Sequence, residues 1–153
     1  MEHFDLKTIS SREKVLIINL NNIDEIIVSN FLSALGKSKI NIDSISLTNN
    51  DSTHLIIMIN KKYETKIYKI FDQFNFDKNK ILEKSSFEIN GVGIRGENGY
   101  VLSVLNNFKK KEINLDFLVS GALNYEFYVK KDKFYPAYRA ILSSMNLPNI
   151  NFE

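Results

Sequence analysis

A chain of 153 residues with 44% hydrophobic content is long enough to form one domain, or two small units that share a core. The absence of cysteine excludes disulfides, thiolate metal sites and a cysteine nucleophile, and with only two histidines we expect neither a metal nor another cofactor. The formal net charge of +2 is too small to predict a nucleic-acid-binding or membrane-binding surface.

The location of the protein can be predicted from its apolar segments. No run of 18 apolar residues occurs, and the opening residues Met1–Asp5 lack the basic and apolar regions of a signal peptide. The lysine runs at 109–111 and 130–131 are interpreted as solvated ends of a helix and a strand. We therefore expect a soluble, cytoplasmic protein with no nucleic-acid or membrane partner.

The first half of the chain predicts four strands and two helices. The strands are Phe4–Ile9, Val15–Leu20, Ile40–Leu47 and Thr53–Asn60, with a polar turn at Ser10–Glu13 between the first two. Asp24 is placed to cap a helix that carries apolar residues at helical spacing up to Leu35, and a second apolar stripe runs from Tyr63 to Phe74. Alternation along the third strand changes phase at Asp43–Ser44, which predicts a bulge there.

The second half of the chain repeats this order of elements. Its predicted strands are Ser86–Val92, Ile113–Val119 and Tyr125–Lys131, and its predicted helices are Tyr100–Glu112 and Phe134–Met145. The segment Ile113–Asp116 matches Ile40–Asp43 at an offset of 73 residues, and the preceding helices then align. The sequence therefore predicts an internal repeat.

A glycine-rich loop, Gly91–Tyr100, joins a strand to a helix in the second copy. Its four glycines permit close backbone approach, and free N–H groups at a helix start suit a carboxylate or a phosphate. The spacing Gly91-x-Gly93-x-x-Gly96 also matches a dinucleotide fingerprint, with Asp116 at the distance of its acidic residue. A dinucleotide site needs a parallel βαβ unit, however, and the hairpin that follows each helix argues against one.

Each copy reads βαββα, which predicts an α+β, ferredoxin-like fold with antiparallel sheets and helices on one face. Such a βαββαβ unit needs a fourth strand. The candidates are Phe4–Ile9, Ile81–Glu83 and Asn149–Phe152. One arrangement compatible with these candidates exchanges the terminal strands between the two units.

The second copy resembles a known family. Gly91–Arg95, Gly99, Ile113–Asp116, Tyr125–Val129 and the helix segment Ala137–Leu142 closely resemble the second regulatory ACT domain of aspartokinases. Val15–Phe74 resembles the first ACT domain, and Phe4–Ile9 matches the strand that enters this regulatory region. The resemblance implies two ACT units, at residues 1–80 with the leading strand and at residues 81–153.

The resemblance also implies a function. Aspartokinases phosphorylate aspartate with ATP in the pathway to lysine, threonine and methionine, and their ACT pairs bind end-product amino acids that inhibit them. The kinase signature of the family is absent from this sequence. The chain is thus expected to be a non-enzymatic regulatory region or small regulatory subunit that binds lysine or threonine, acts on an aspartokinase catalytic domain or subunit, and dimerises through its ACT units.

Candidate effector-binding residues follow from the chemistry of a free amino acid, which needs N–H donors for its carboxylate and oxygen acceptors for its ammonium group. In each unit we expect the loop after the first strand to face the start of the second strand, and we expect an effector to bind between the loop of one unit and the strand start of another. The candidates in the first unit are Asn21, Asn22, Asp24, Asn41, Ile42 and Asp43. Those in the second unit are Arg95, Gly96, Glu97, Asn98, Gly99, Tyr100, Asn114, Leu115 and Asp116. Because it keeps the loop glycines, the second unit is expected to matter more.

Three other functions fit parts of the sequence. An RNA-recognition module would use Tyr125, Phe127 and Tyr128 to stack bases, but it lacks the basic motif of that fold. A stand-alone enzyme could use Asp24 and Asp43, but no nucleophile and base stand at a recognisable spacing. A stand-alone ACT protein that serves only for dimerisation or interaction, without an effector, is the main alternative.

Overall fold

The computed structural model describes residues 6–91, 100–121 and 124–144. Its six strands are β1 (Leu6–Asn21), β2 (Ile42–Asn49), β3 (Thr53–Asn60), β4 (Ile81–Gly91), β5 (Leu115–Ser120) and β6 (Asn124–Val129). Its four α-helices are α1 (Glu25–Lys37), α2 (Glu64–Phe74), α3 (Tyr100–Lys110) and α4 (Phe134–Ser144). None of these helices is long and apolar enough to cross a membrane.

The first strand differs from its prediction. Ser10–Glu13 does not form a turn, because β1 continues through these residues as one strand of 16 residues. A polar run can stay in a strand when its side chains have partners, and the Arg12 guanidinium lies 2.6 Å from a carboxylate oxygen of Glu126. Likewise Ile81–Glu83 is the beginning of β4 and not a separate strand. The remaining candidate strand, Asn149–Phe152, lies outside the described residues.

The chain divides into two compact units. We call Lys14–Glu83 the first unit, and the second unit contains the described parts of Met1–Glu13 and Lys84–Glu153. The strands β1 and β4 each cross this division. The leading segment, expected with the first unit, therefore groups with the second, and the division falls three residues after the expected boundary between residues 80 and 81.

In the first unit the strands lie in the order β2-β3-β1, and both pairs are antiparallel. Alternate residues of β1 and β3 point toward α1 and α2, because successive side chains of a strand lie on opposite faces of the sheet. The buried core of this unit contains Leu16, Ile18, Leu20, Val28, Phe31, Leu35, Ile40, Leu55, Ile57, Ile59, Ile67, Ile70 and Phe71. The Phe31 ring makes edge contacts with Phe71, Phe74 and Phe76 at centroid distances of 5.9, 5.6 and 5.3 Å.

In the second unit β4 lies between β1 and β6, and β5 follows β6; the pairs β4–β6 and β5–β6 are antiparallel. The core repeats the same layering, with α3 and α4 contributing to it. It contains Phe87, Ile89, Val104, Phe108, Ile113, Phe127, Val129, Ala137, Ala140 and Ile141. The fold is therefore α+β with an antiparallel sheet, as predicted, and these antiparallel pairs do not provide the parallel βαβ unit of a dinucleotide site.

Local geometry recurs at the predicted offset of 73 residues. The register of β2 shifts between Ile42 and Ser44, which confirms the predicted bulge, and that of β5 shifts between Leu115 and Phe117. Just before each strand a non-glycine residue has positive φ. These residues are Lys39, with φ 54°, and Glu112, with φ 53°. The backbone bonds from Ile40 N to Leu35 O and from Ile113 N to Phe108 O also correspond.

Candidate functional site

The start of α1 brings together several of the candidate residues of the first unit. Asp24 has extended backbone angles and its Oδ1 accepts a hydrogen bond from Ile26 N at 2.8 Å, so it is the N-cap predicted from sequence. Asn22, with φ 52°, makes the sharp turn between β1 and the helix, a conformation that asparagine tolerates better than most residues. Both side chains are exposed at this end of the sheet.

A polar cleft of about 680 Å³ opens beside this turn. Its lining comes from the helix start and from the turn between β2 and β3, and consists of Asn22, Ile23, Asp24, Glu25, Ile26, Asn49, Asp51, Ser52 and Thr53. Three carboxylates, on Asp24, Glu25 and Asp51, share the cleft, and these lining residues include no lysine or arginine. The cleft therefore favours a cationic group over an anion.

Asn49 connects the two walls of the cleft. Its side-chain amide donates to the Glu25 carboxylate, and its Oδ1 accepts from the Thr53 hydroxyl at 3.2 Å. A backbone bond from Ile23 N to Thr53 O, at 3.4 Å, adds a second link. The turn is thus held against the start of α1, and the Glu25 carboxylate is positioned by its contact with Asn49.

An apolar groove of about 310 Å³ adjoins the cleft. It is lined by Val28, Ser29 and Leu32 of α1 and by Leu47 of β2, and it shares Glu25, Asn49 and Thr53 with the cleft. A cationic head and a short aliphatic chain could therefore occupy neighbouring spaces. An acidic surface and an apolar surface thus adjoin at the start of α1.

The structure does not bring Asn21, Asn22 and Asp24 opposite Asn41–Asp43 within one unit, so that expectation is wrong. Asn21 and Thr48 both pair with His54, whereas Leu16 and Ile42 both pair with Ile59. The start of β2 thus lies five residues along the sheet from the loop, roughly 17 Å at the rise of a β-strand. Because β2 and β3 form an antiparallel hairpin, the end of β2 and not its start lies beside the beginning of α1.

The second unit has the same separation. Asn90, which precedes the glycine loop, pairs with Asn124, whereas Leu115 pairs with Val129 at the other end of β6. The candidates Arg95, Gly96, Glu97, Asn98 and Gly99 lie outside the described residues, and Tyr100 begins α3.

The strand-start candidates of both units have distinct surroundings. Asn41 and Asn114 are exposed, each directly before its strand, and Asp43 is exposed at the bulge of β2. Leu115 and Ile42 pack against the cores of their units. Asp116 lies at the bulge of β5 with its Oδ2 2.9 Å from Lys84 Nζ.

Seven of the nine lining residues were not predicted from the sequence. Ile23, Glu25 and Ile26 flank the predicted cap Asp24. Asn49, Asp51, Ser52 and Thr53 belong to a segment that reads as an ordinary hairpin turn, and only the strand order β2-β3-β1 places that turn next to α1. No group of three or more potential metal ligands occurs among residues 6–91, 100–121 and 124–144.

No protein-family model matches the chain, and no curated protein matches its sequence. Solved structures do match. The ligand-free regulatory subunit of aspartate kinase from Thermus thermophilus has a TM-score of 0.76 at 13% identity, over 91% of this chain and 97% of that one. A structure of aspartokinase alpha and beta subunits has a TM-score of 0.74 at 15% identity, over 93% of this chain and 99% of that one.

A third match is E. coli aspartokinase III in complex with lysine and aspartate, in the T-state. Its TM-score is 0.69 at 15% identity, and the alignment covers 94% of this chain and 33% of that one. At these identities the matches show a shared fold. The predicted resemblance to aspartokinase regulatory regions is thus confirmed at the level of the fold.

Proposed function

We propose that this chain is a regulatory, amino-acid-binding region of an aspartokinase, built from two ACT units. The observation that carries the proposal is an acidic cleft at the start of α1 in a chain with the fold of aspartokinase regulatory subunits. The chain itself is non-catalytic. Its partner is an aspartokinase catalytic domain or subunit, which it inhibits when an end-product amino acid binds.

Lysine fits the cleft better than threonine does. Its side-chain ammonium group adds a second positive charge to a cleft with three carboxylates, and its four methylene groups match the groove formed by Val28, Leu32 and Leu47. Threonine offers one ammonium group and a hydroxyl, which leave more of this negative charge uncompensated. The proposed effector of the first unit is therefore lysine, in keeping with the bound lysine of the E. coli neighbour.

A dimer completes the proposed site. The segment Asn41–Asp43 is too far from the cleft of its own unit, so it would act on the cleft of another unit. Exposed apolar residues on α1 and β2 support pairing of this kind, since Ile26, Ile45 and Leu47 are 71%, 49% and 53% exposed. A buried interface would cover them.

Titration calorimetry with lysine, threonine and the other proteinogenic amino acids tests the proposal. Asp24→Asn is the sharpest variant, because asparagine also caps a helix and so removes the charge while keeping the cap. We expect lysine affinity to fall about tenfold, the effect of losing one charge-assisted contact. Asp51→Asn should act in the same direction.

The matched control is Asp77→Asn. Asp77 caps the short helix Lys78–Lys80 through a bond from Asn79 N to its Oδ1 at 2.9 Å, in the same unit but away from the cleft. The same chemical change there should leave lysine affinity unaltered. If the wild-type chain binds none of the amino acids, the effector-binding function is refuted.

The second candidate is a stand-alone ACT protein that serves as a dimerisation or interaction module. The exposed residues Ile26, Ile45 and Leu47 favour it equally, because they support pairing without any ligand. A chain that dimerises in light scattering but binds no amino acid by calorimetry would fit this candidate.

A further inference from the structure

The three carboxylates of the acidic cleft differ in their partners. Oδ1 of Asp24 accepts a hydrogen bond from Ile26 N at 2.8 Å, and the Glu25 carboxylate accepts one from the side-chain amide of Asn49. The Asp51 carboxylate has no hydrogen-bond or ion-pair partner among residues 6–91, 100–121 and 124–144. Of the three acids, Asp51 is thus the one whose charge no described residue compensates.

Two of these acids have a structural reason to be charged. Asp24 is the N-cap of α1 and Glu25 is its first residue. A negative charge at a helix start is stabilised by the unpaired N–H groups and by the helix dipole, so both acids suit a helix that binds no ligand. Asp51 lies instead in the turn between β2 and β3, which precedes a strand and not a helix. It is neither a cap nor a first-turn residue, so the formation of α1 does not require its charge.

The charge of Asp51 raises the energy of the empty cleft. A volume of about 680 Å³ corresponds to a space roughly 9 Å wide, which is within one Debye length at moderate salt, so the carboxylates that line it repel one another. No lysine or arginine is among the lining residues, and none of the three acids forms an ion pair within the described part of the chain. The third acid therefore destabilises the empty cleft and stabilises any cation that enters it.

The neighbouring apolar groove gives the position of such a cation. Glu25, Asn49 and Thr53 line both the cleft and the groove, whereas Asp51 lines the cleft alone. A ligand with its aliphatic chain in the groove therefore enters the cleft past Glu25. The ammonium group at that end of the ligand then lies in the space that Asp51 lines.

We propose that Asp51 is the specificity-determining acid of this cleft: its charge selects a ligand that carries an ammonium group, and it has no part in holding the fold. The charges of Asp24 and Glu25, by contrast, also stabilise the start of α1. The inference deepens the function proposed above and rests on it. It names the hairpin turn, and not only the helix start, as the element that recognises the effector.

Asp51→Asn tests the proposal through two results of opposite sign. Lysine affinity, measured by calorimetry, should fall about threefold to tenfold, because one charge-assisted contact is lost. The melting temperature of the ligand-free chain should rise by about 1 °C at low salt, and this gain should vanish at about 1 M salt, where charges are screened. Asp24→Asn should lower lysine affinity without raising the melting temperature, because its charge favours α1.

Two further variants serve as controls. Asp51→Glu keeps the charge, so it should retain lysine affinity within about threefold and should not gain stability. Asp132→Asn makes the same chemical change as Asp51→Asn at another exposed aspartate, which stands between Lys131 and Lys133 in the sequence. It should leave lysine affinity unaltered and should not raise the melting temperature, because no cluster of like charges is relieved there.

A diammonium probe separates this inference from the effector-binding function. If the wild type binds no amino acid, 1,5-diaminopentane should still raise its melting temperature at matched ionic strength, and Asp51→Asn should lose that rise. This result would refute only the effector-binding function. Unchanged lysine affinity in Asp51→Asn, a lower melting temperature of that variant, or a wild type that responds to neither ligand would overturn the inference.

Discussion

The side-chain amide of Asn49 donates to the Glu25 carboxylate across the mouth of the acidic cleft. The same asparagine accepts from Thr53, so one side chain ties the end of β2 to the first turn of α1 and to the start of β3. The shape of the cleft thus depends on a residue that carries no charge.

Asn49→Ala should weaken effector binding by about twofold to tenfold, because it removes two hydrogen bonds worth roughly 0.5–1.5 kcal/mol each and lets Glu25 turn away. Calorimetry with lysine measures the loss. The control is Asn60→Ala, since Asn60 also makes a local bond, to Lys62 N at 2.9 Å, but lies outside the cleft. Equal losses in both variants would mean that the effect is on stability rather than on the site.

Asp43→Ala should lower lysine affinity by about tenfold, whereas Asn114→Ala should change it by less than twofold. The reason is that the start of β2 is proposed to complete the acidic cleft of another unit, whereas Asp116 beside Asn114 is already paired with Lys84. Both variants are measured by calorimetry at a concentration where light scattering shows the dimer. If Asn114→Ala lost more lysine affinity than Asp43→Ala, the effector would bind in the second unit instead.

Arg12→Gln should destabilise the docking of residues 6–13. Glu126 is only 8% exposed, and the loss of its partner leaves a carboxylate that is nearly buried beside its cross-strand neighbour Glu88. We expect a cost of about 1–3 kcal/mol, seen as faster amide exchange in β1 before Lys14. Arg12→Gln/Glu126→Gln should recover most of this loss, and failure to do so would assign the effect to something other than the charge.

The raised pKa of Lys61 should make the stability of the folded state depend on pH in the alkaline range. Hydrogen bonding to Glu83, followed by that to Glu64 and by the charges of both, raises the pKa of Lys61 above its usual 10.5, against a smaller opposing effect of burial. The folded state therefore binds this proton more tightly than the unfolded state does. The resulting stability is fully present below the unfolded pKa and is lost as pH rises through the folded one. Urea unfolding between pH 9 and 12, in wild type and Lys61→Gln, should show a steeper decline in wild type.

Much of the fold could be predicted because its signals are local. The apolar spacing around Phe31 predicts α1, and the change of phase at Asp43 predicts the bulge of β2. The continuity of β1 could not be predicted, because the partner that keeps Arg12 in a strand lies 114 residues away. Local polarity there is typical of a turn.

The site could be predicted only in part. Asp24 was recognisable as a helix cap from its neighbours alone. Asn49 and Asp51 gave no such signal, since polar residues in a hairpin turn are ordinary. Their position beside α1 depends on the order of the strands, and so does the distance that separates Asp24 from Asp43.

The long strand β1 has a consequence for synthesis of the chain. Its first half groups with the second unit, where β4 is its neighbour, but it leaves the ribosome before β4 by more than seventy residues. At ordinary translation rates that interval is about 4–16 seconds. Residues 14–80 of the first unit can fold within this time, while the leading strand waits with open backbone groups. Chaperone binding to nascent chains should therefore be concentrated on residues 6–13 and cease once β4 has emerged.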